Sequence, residues 1–277
     1  MKKKYIAVII VILVVVIDLS VLLYPTVSDY INAHSQSRVV AKYIDDVAGI
    51  DDNNAQALLD AARAYNQTLL TKTDRFQFTS EEMAAYQKLL DVSGGVMGIL
   101  VIDKINVKLP IYHGTDEGVL QVGLGHLPGS SLPVGGVGTH TIITGHRGLP
   151  SSTLLTDLNK MAEGDTFVLY VLGETLTYQV DEIDTVEPQQ VEELTIDPNM
   201  DYCTLVTCTP YGINTHRLLV RGHRIENASD TQWIFSADAD RLDKAMILLI
   251  FNIPVLPILL IYGIVKYRKI RKGAIVR

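Results

Sequence analysis

Residues 202–222 read YCTLVTCTPYGINTHRLLVRG, a sequence in which a loop separates two apolar segments. It holds two β-like runs, Leu205–Cys208 and Arg217–Gly222, which are rich in apolar and branched residues. The chain between the runs is made of loop formers, notably Pro210, Gly212 and Asn214. A turn there puts Cys208 and Arg217 at the same end of two neighbouring strands.

Further short β-like runs precede this stretch, at Gly98–Ile102, Val107–Tyr112, Thr139–Thr144, Thr166–Leu172 and Thr175–Ile183. Glycines and prolines separate the runs, and the glycine-rich segment Gly123–Gly138 is predicted to be a loop. One polar helix is expected at Leu154–Met161. Several strands at irregular spacing predict a mainly β domain over residues 96–228, either an antiparallel β-barrel or a sandwich.

Two apolar segments flank this body of the chain. Residues 5–24 and residues 245–265 are each long enough for a transmembrane helix, which needs roughly 20 apolar residues. The basic tips, residues 1–4 and 266–277, place both termini in the cytoplasm by the positive-inside rule, so the body lies outside the cell. A cleaved signal peptide is the alternative for the first segment, but residues 25–29 offer no A-x-A cleavage site.

The charge is distributed unevenly along the chain. Of 24 Lys and Arg and 31 Asp and Glu, nine cations but one acid lie in the terminal segments. Residues 26–244 therefore carry a net charge of −15 with His neutral. An acidic body argues against a nucleic-acid partner, because nucleic acids bind basic surfaces.

Residues 25–95 are predicted to form a helical arm. Apolar side chains recur at helical spacing in its first part, and the polar stretch Asp51–Asn54 divides them into two helices. Thr79 and Glu82 form a capping-box pattern, which predicts the start of a further short helix that ends near Leu90.

Two cysteines lie in the predicted strand that opens the quoted stretch. Cys203 and Cys208 are five positions apart, so on a strand they face opposite sides, about 16 Å from each other. A disulfide needs Cα atoms within about 7 Å, so at least one thiol is free. Cys203 is typical of a buried structural residue, whereas Cys208 lies at the strand end, where it can face a cleft. A nucleophilic thiol there needs a proton acceptor or a cation nearby.

His146 is the best-placed partner among the seven histidines. It follows the run Thr139–Thr144 and has Gly145 and Gly148 around it, so its ring can approach a substrate as an acid or a base. Arg217 can donate hydrogen bonds to an oxyanion or to a substrate carbonyl. No CxxC, HExxH or EF-hand spacing occurs, and no metal or cofactor is predicted.

Together these motifs resemble the sortase family, specifically its pilus-assembling class C type from Gram-positive bacteria. The resemblance covers about residues 70–225, and its motifs occur in the family's order. They are Gly125-His126-Leu127, Ser130-Ser131-Leu132-Pro133-Val134-Gly135-Gly136, Thr144-Gly145-His146-Arg147-Gly148-Leu149-Pro150, Thr204-Leu205-Val206-Thr207-Cys208 and Asn214-Thr215-His216-Arg217-Leu218-Leu219-Val220-Arg221-Gly222.

The resemblance implies an eight-stranded sortase β-barrel and a cysteine transpeptidase. Cys208 would attack the Thr–Gly bond of an LPxTG-like sorting signal. His146 would protonate the leaving amine and later deprotonate the incoming one, and Arg217 would hold the substrate or its oxyanion. Thr207, next to the nucleophile, is a candidate oxyanion helper.

The same resemblance implies the partners and the location. The substrates are pilin subunits or surface proteins with LPxTG-like signals, and the acceptor is an amine, which is a pilin lysine in the pilin-polymerising members. The acidic body would attract such a lysine-bearing acceptor by long-range steering. The expected location is the cell membrane of a Gram-positive bacterium, with an extracellular catalytic domain and residues 229–244 linking it to the second span.

Class C members usually carry a lid over the cleft, with an Asp-Pro-aromatic motif. The matching stretch is Asp74-Arg75-Phe76, in a lid of about residues 71–80. Arg75 stands in place of proline, which removes proline's fixed φ angle. The other interpretation of Phe76 is a simple anchor of the arm on the barrel.

Two other enzyme functions stay open at this level. One is a housekeeping-type sortase that attaches surface proteins to the cell-wall precursor, and the other is a membrane-tethered cysteine protease that hydrolyses its substrate. A wall-anchored sortase substrate would need an LPxTG-like pentapeptide before the second span, and residues 225–244 contain none.

Overall fold

The structure is a computed structural model, and it describes residues 2–190 and 194–227. The predicted linker, second span and basic tail, residues 229–277, lie outside the described residues.

A single long helix opens the chain. Helix α1 runs from Lys2 to Ala48, so the predicted first span and the start of the arm are one continuous helix, with Pro25 inside it. Residues Ile12–Ala48 are long and apolar enough to cross a membrane by length and composition, and none of their most apolar window is buried in the protein. The predicted boundary at residue 24 therefore falls within a helix and not at a break.

Two shorter helices complete the arm. Helix α2, Asp52–Leu69, is capped by Asp51, whose side chain accepts a hydrogen bond from the Asn54 amide. Helix α3, Ser80–Tyr86, has the capping box that the sequence predicts, with Thr79 and Glu82 each accepting from the other's backbone amide. The helix ends at Tyr86, earlier than expected, and the following residues form turns.

The arm packs on the barrel through one face of α1. Val40, Tyr43 and Val47 are buried in the main core. The Tyr43 hydroxyl donates to the Met97 carbonyl at 3.1 Å and accepts from the Leu172 amide at 3.1 Å. Burial raises the pKa of the Tyr43 phenol, so this group stays a neutral hydrogen-bonding link between the arm and two strand ends.

Eight strands form the barrel, in the order β1-β2-β3-β4-β7-β8-β6-β5. Their bounds are β1 Val96–Ile102, β2 Val107–His113, β3 Leu124–His126, β4 Thr139–Thr144, β5 Thr166–Val171, β6 Glu174–Val186, β7 Asp201–Thr209 and β8 His216–Ile225. The eight-stranded barrel is confirmed.

The barrel is mixed and not purely antiparallel. Strands β2 and β3 pair in parallel, as do β4 and β7, where Ile142 lies beside Thr204 and Thr144 beside Val206. The remaining pairs are antiparallel. The expectation of an antiparallel sheet was wrong at these two places, because residue patterns within a strand do not determine its neighbour's direction. The parallel pairing of β4 and β7 brings their carboxyl ends to one edge.

Three local predictions need correction. The glycine-rich segment contains strand β3, where a Cβ on Gly125 would meet the Gly114 carbonyl oxygen at 2.3 Å. Gly125 therefore allows two segments of the chain to approach each other closely, and it is not only a loop residue. The helix expected at Leu154–Met161 is a short 3-10 turn, Leu158–Lys160, among other turns. A helix not predicted, α4, spans Glu117–Val122.

Strand alternation divides β7 between two environments. Cys203 and Leu205 point into the main core, whereas Val206 belongs to a separate apolar cluster on the outer face. That second cluster contains Ile142, Leu194 and Leu219, with Leu127, Val186 and Val206 packed against it. The outer face of β4, β7 and β8 therefore has an apolar floor, and residue 208 lies on the same side as this floor.

Candidate active site

Cys208 and Arg217 are direct neighbours across two strands. They are paired in the antiparallel register of β7 and β8, so their side chains leave the sheet on the same face. Cβ atoms in such a pair are about 4.5–5.5 Å apart. Both residues are partly exposed. The predicted meeting of these two residues at one end of neighbouring strands is confirmed.

The Arg217 guanidinium is steadied by its own turn. Its Nη1 donates to the carbonyl of His216 at 3.1 Å and, at a longer 3.4 Å, to that of Asn214. Within the described residues its Nε and Nη2 atoms make no hydrogen bond. These donors remain for a substrate oxygen beside Cys208.

His146 lies immediately past the end of β4. The Gly145 amide donates to the Val206 carbonyl at 3.0 Å, which carries the parallel pairing of β4 and β7 one residue further. Thr144 pairs with Val206, so counting two residues along both strands brings His146 level with Cys208 on the same outer face. The fold thus gathers His146, Cys208 and Arg217 at one edge of the barrel.

Glycines on both sides of His146 are required by close packing. A Cβ on Gly145 would meet the Leu124 side chain at 2.6 Å and Leu155 at 3.0 Å. Gly148 has φ +77° and would bring a Cβ to 3.0 Å from the Tyr211 ring. The sequence analysis expects these glycines to allow approach to a substrate, whereas the close neighbours that the structure shows are protein side chains.

A carboxylate that sequence reasoning missed lies beside the histidine. The Oε2 atom of Glu117 is 3.6 Å from the His146 Nε2 atom. That nitrogen is shielded from solvent and makes no hydrogen bond in the described part of the chain. Glu117 is in the first turn of α4, where an acidic residue is favourable. Asp116 and Glu117 follow a loop, and this pattern signals the start of a helix. No local pattern relates Glu117 to His146, which lies 29 positions later.

Arg147 links the segment that carries His146 to strand β7, which carries the candidate nucleophile Cys208. Its Nη1 donates to the Thr209 hydroxyl at 3.0 Å, directly after Cys208, and its Nε donates to the Thr156 carbonyl at 3.1 Å. The sequence motif contains Arg147, but its tethering role depends on a contact across 62 residues.

The Thr207 hydroxyl is engaged away from the cleft. It is buried and donates to the Gly145 carbonyl at 2.8 Å. A hydroxyl has a single proton to donate, so Thr207 cannot serve an oxyanion while this bond holds. It also alternates to the opposite face from Cys208. The geometry therefore favours a role for Thr207 in fixing the histidine's backbone against β7, in place of the oxyanion role implied above.

Two other histidines are structural. His126 accepts from Tyr86 through Nδ1 at 2.9 Å and donates through Nε2 to the Ser131 carbonyl at 2.8 Å. His140 donates through Nδ1 to the Thr195 carbonyl at 2.8 Å and accepts from Thr204 at 2.7 Å. Burial lowers the pKa of both rings to about 4, so each is a neutral link at neutral pH.

The two thiols are both free but differ in environment. Burial raises the pKa of Cys203 well above its ordinary value, and the neighbouring Asp201 carboxyl acts in the same direction. Cys203 is therefore a poor nucleophile. Cys208 is partly exposed and faces Arg217.

The predicted lid lies on the flank of the apolar floor. Arg75 donates to the Leu194 carbonyl, and its guanidinium lies over the Phe76 ring at 4.6 Å. A Cβ on Gly129 would meet the Arg75 carbonyl oxygen at 2.1 Å, so the lid backbone rests on that glycine. In the described residues no hydrogen bond, ion pair or ring contact joins Asp74 or Phe76 to the three candidate catalytic residues.

No group of three or more His, Cys, Asp or Glu that could hold a metal ion occurs among residues 2–190 and 194–227.

Comparison with protein families and curated proteins indicates a relationship. Residues 100–225 match the family model described as the sortase domain. The chain is 29% identical over 136 residues to sortase D of Bacillus subtilis and 30% identical over 117 residues to sortase A of Streptococcus agalactiae. These alignments cover 48% and 41% of this chain, and 66% and 47% of the two relatives, which is less than two thirds of their length.

Solved structures resemble the chain more closely. Sortase C1 from Streptococcus agalactiae is 50% identical, with a TM-score of 0.66 over 69% of this chain and all of that one. Sortase C of Streptococcus pneumoniae is 44% identical, with a TM-score of 0.61 over 69% of this chain and 97% of that one. Sortase A from Corynebacterium diphtheriae is 39% identical, with a TM-score of 0.61 over 71% and 96%.

Proposed function

We propose that this chain, which belongs to the sortase family of cysteine transpeptidases and resembles its class C members, joins an LPxTG-like sorting signal to an amine, a lysine of a pilin subunit. The observation that supports this most directly is the edge of the barrel where β4, β7 and β8 bring His146, Cys208 and Arg217 together.

In the first step the Cys208 thiolate attacks the threonine carbonyl carbon of the signal. The carbonyl oxygen becomes an oxyanion, and the free donors of Arg217 are placed to stabilise it. Arginine suits this task because its guanidinium stays charged at any working pH. The thiolate carries no proton, so its attack on the carbonyl carbon requires no proton transfer to or from water.

In the second step the tetrahedral intermediate collapses. The Thr–Gly C–N bond breaks, protonated His146 gives its proton to the departing glycine amine, and a thioester joins the threonine carbonyl to Cys208. The Glu117 carboxylate lies beside the ring during this transfer, with its Oε2 atom 3.6 Å from the His146 Nε2 atom.

The acceptor amine then reverses these events. Neutral His146 takes a proton from the amine as its nitrogen attacks the thioester carbon, and the C–S bond breaks to release Cys208 thiolate. The product carries a new amide bond. Water at the same position would give a carboxylic acid, which is the reaction of the hydrolytic alternative.

The location follows from the ends of the chain. In this proposal the apolar part of α1 anchors the protein in the membrane of a Gram-positive cell, and the sequence of residues 245–265 predicts a second span. The barrel then lies outside the cell, where sorting signals and acceptor amines meet it. The net charge of −15 on residues 26–244 attracts a cationic, lysine-bearing acceptor.

The experiment that tests this function uses the full-length chain in detergent. Every incubation contains an LPxTG-type peptide. One also contains a lysine-containing pilin peptide, a second contains an oligoglycine amine that mimics a wall precursor, and a third contains buffer in place of an acceptor. Mass analysis of the products identifies cleavage between Thr and Gly and the group attached to the new carbonyl. A product with the lysine peptide is the expected result.

The other outcomes are equally informative. Transfer to the oligoglycine amine and not to lysine supports the housekeeping-type alternative. A product that ends in a free carboxylic acid in every incubation supports the hydrolytic alternative. The Cys208→Ala variant is the control, and cleavage by that variant would overturn the proposed nucleophile.

A further inference from the structure

The chain around His146 is a closed loop, here called the histidine loop, residues 145–156. The Leu155 amide donates to the His146 carbonyl at 3.2 Å, and the Gly148 amide donates to the Thr156 hydroxyl at 3.2 Å. These bonds hold the base of the loop together. Its tip, residues 149–153, contains one isolated bridge, between Leu149 and Ser152.

The tip of the histidine loop rests on α1. The Asp29 carboxylate accepts from the Thr153 amide at 2.6 Å and from the Thr153 hydroxyl at 2.8 Å. One turn further along, the Asn32 amide nitrogen donates to the Ser151 carbonyl at 2.7 Å. These bonds join residues about 120 positions apart, so the helix and the loop are brought together by the tertiary fold.

A third side chain of the same helix joins two segments at once. Gln36 is buried, with 7% of its surface exposed. Its Nε2 donates to the Ser152 hydroxyl at 3.2 Å and to the Val122 carbonyl at 3.1 Å. Val122 ends α4, the helix whose first turn carries Glu117. Gln36 therefore links both segments that flank the His146 ring.

Asp29, Asn32 and Gln36 lie on one face of a rigid element. Their spacing, i, i+3 and i+7, places them in one stripe along α1. The next turns of the same helix are fixed to the barrel by buried residues such as Val40 and Tyr43. The helix cannot slide along the loop without breaking this packing.

We propose that this polar face of α1, formed by Asp29, Asn32 and Gln36, is a positioning element for His146. It holds the tip of the histidine loop while Arg147 holds its base, so the ring stays level with Cys208. The inference rests on the proposed function, because it assigns these residues an effect on the acid–base step. The helix that carries the apolar membrane segment is then also a structural part of the catalytic centre.

The physical reason is that proton transfer depends steeply on position. A displacement of about 1 Å at a reacting group can cost about 100-fold in rate. The apolar floor of the cleft is built from other elements, so loosening the loop should leave binding of the sorting signal largely intact. A positioning role therefore predicts a fall in kcat with little change in KM.

The test uses the full-length chain in detergent with an LPxTG-type peptide and a lysine acceptor. In the double variant Asn32→Ala, Gln36→Ala, kcat is expected to fall about tenfold or more, with KM for the sorting peptide within about twofold of the wild type. The matched control is Ser35→Ala, on the exposed face of the same helix, for which kcat should not change. An unchanged kcat in the double variant would overturn the proposal.

A second pair of variants guards against simple misfolding. Asp29→Asn keeps an oxygen that accepts from Thr153, whereas Asp29→Ala removes it. The Asn variant should keep most of the wild-type kcat and the Ala variant should not. Equal kcat values in these two variants, when both fold, would contradict the role of the acceptor.

Hydrogen exchange separates this inference from the proposed function. The amides of Gly148, Ser152 and Leu155 should exchange faster in the double variant, while those of the distant strand β5 keep their protection. This measurement needs no turnover. If the wild-type chain is inactive but the double variant still shows faster exchange at these amides, the proposed function is wrong and the structural link remains. If exchange in the double variant is unchanged, the structural link itself is wrong.

Discussion

At the scale of single residues, β7 carries two thiols with opposite properties. Cys203 is enclosed in the core and its pKa is raised by burial, whereas Cys208 is partly exposed beside Arg217. A strand that alternates faces places thiols five positions apart in different surroundings. The sequence predicts this division correctly, because alternation is a property of the strand itself.

We expect Cys208→Ala to abolish peptide cleavage and amine transfer, since it removes the nucleophile. Cys203→Ala should keep the activity and lower the free energy of unfolding by about 1 kcal/mol, because it removes one buried sulfur atom. Product analysis and chemical denaturation check the two parts. Retained cleavage in Cys208→Ala, or its loss in a folded Cys203→Ala, would contradict the assignment.

Glu117 gives a second prediction at this scale. Its carboxylate is 69% exposed, so its attraction to a protonated His146 is screened by water. Glu117→Gln should therefore reduce kcat by less than about fivefold at low salt, a difference that shrinks as salt is added. Glu163→Gln, an exposed acid in a distant turn, is the control. A salt-independent loss would argue for a different role of Glu117.

At the scale of elements, Arg75 gives the predicted lid a side-chain attachment in place of proline's fixed backbone. Its guanidinium reaches the Leu194 carbonyl, and Leu194 packs on the apolar floor with Ile142 and Leu219. Within the described ranges, 2–190 and 194–227, the buried Nη1 atom of Arg75 has no hydrogen-bond partner, and burial lowers the pKa of Arg75. We expect substitution of Arg75 to loosen this attachment, while Phe78 of the same segment still packs against the main core.

We expect Phe76→Ala and Arg75→Ala each to raise the rate at which a small alkylating reagent modifies Cys208. The reason is that both remove contacts that hold the lid near the cleft. The measurement is the rate of thiol loss followed by mass analysis, with Lys88→Ala, an exposed residue of the arm, as the control. Rates equal to the wild type in both variants would remove the lid from the cleft and leave Phe76 as an anchor of the arm.

Elements with a local signal were predicted well from the sequence. The capping residues Thr79 and Glu82 define the start of α3, and the run Thr139–Thr144 is β4 without change. Strand β3 was missed because three residues are too few for a periodic pattern, and the turns after Leu154 were read as a helix because their polar and apolar spacing imitates one.

The candidate site was predictable only in part, for the same physical reason. Cys208, His146 and Arg217 lie at ends of strands that local patterns mark. Glu117 and Gln36 act through contacts with distant parts of the chain, which no single stretch of sequence encodes. Tertiary pairing creates these contacts, so they are visible only once the barrel is closed.

At the scale of the whole molecule, two buried histidines make stability depend on pH. The pKa of His126 and of His140 is about 4 in the folded protein, below the ordinary value near 6.5. The unfolded chain therefore binds more protons between these values, and stability falls as pH drops from 6.5 towards 4. Burial raises the pKa of Asp201, which offsets part of this loss.

We expect each histidine to contribute a slope of about 1.4 kcal/mol per pH unit within this window. Chemical denaturation of the full-length chain at several pH values between 4.5 and 7.5 measures the slope. The variant His126→Gln should show a flatter dependence, although it is less stable overall. A slope that does not change in this variant would mean that His126 does not titrate on unfolding.

The continuous helix α1 sets the distance between the predicted end of the membrane span and the residues that contact the histidine loop. A helix rises about 1.5 Å per residue, so Asp29 and Gln36 stand about 8 and 18 Å along the axis from Tyr24, the predicted end of the span. The histidine loop is bonded to this part of α1, so with the span ending at Tyr24 as predicted, the helix would hold the candidate site at a set distance from the bilayer. A substrate held by its own membrane segment must span the same gap with extended chain, which covers about 3.3 Å per residue. We therefore expect the rate of cleavage to depend on the number of residues between the sorting signal and the membrane segment of a substrate, which a series of substrates with different spacer lengths would measure.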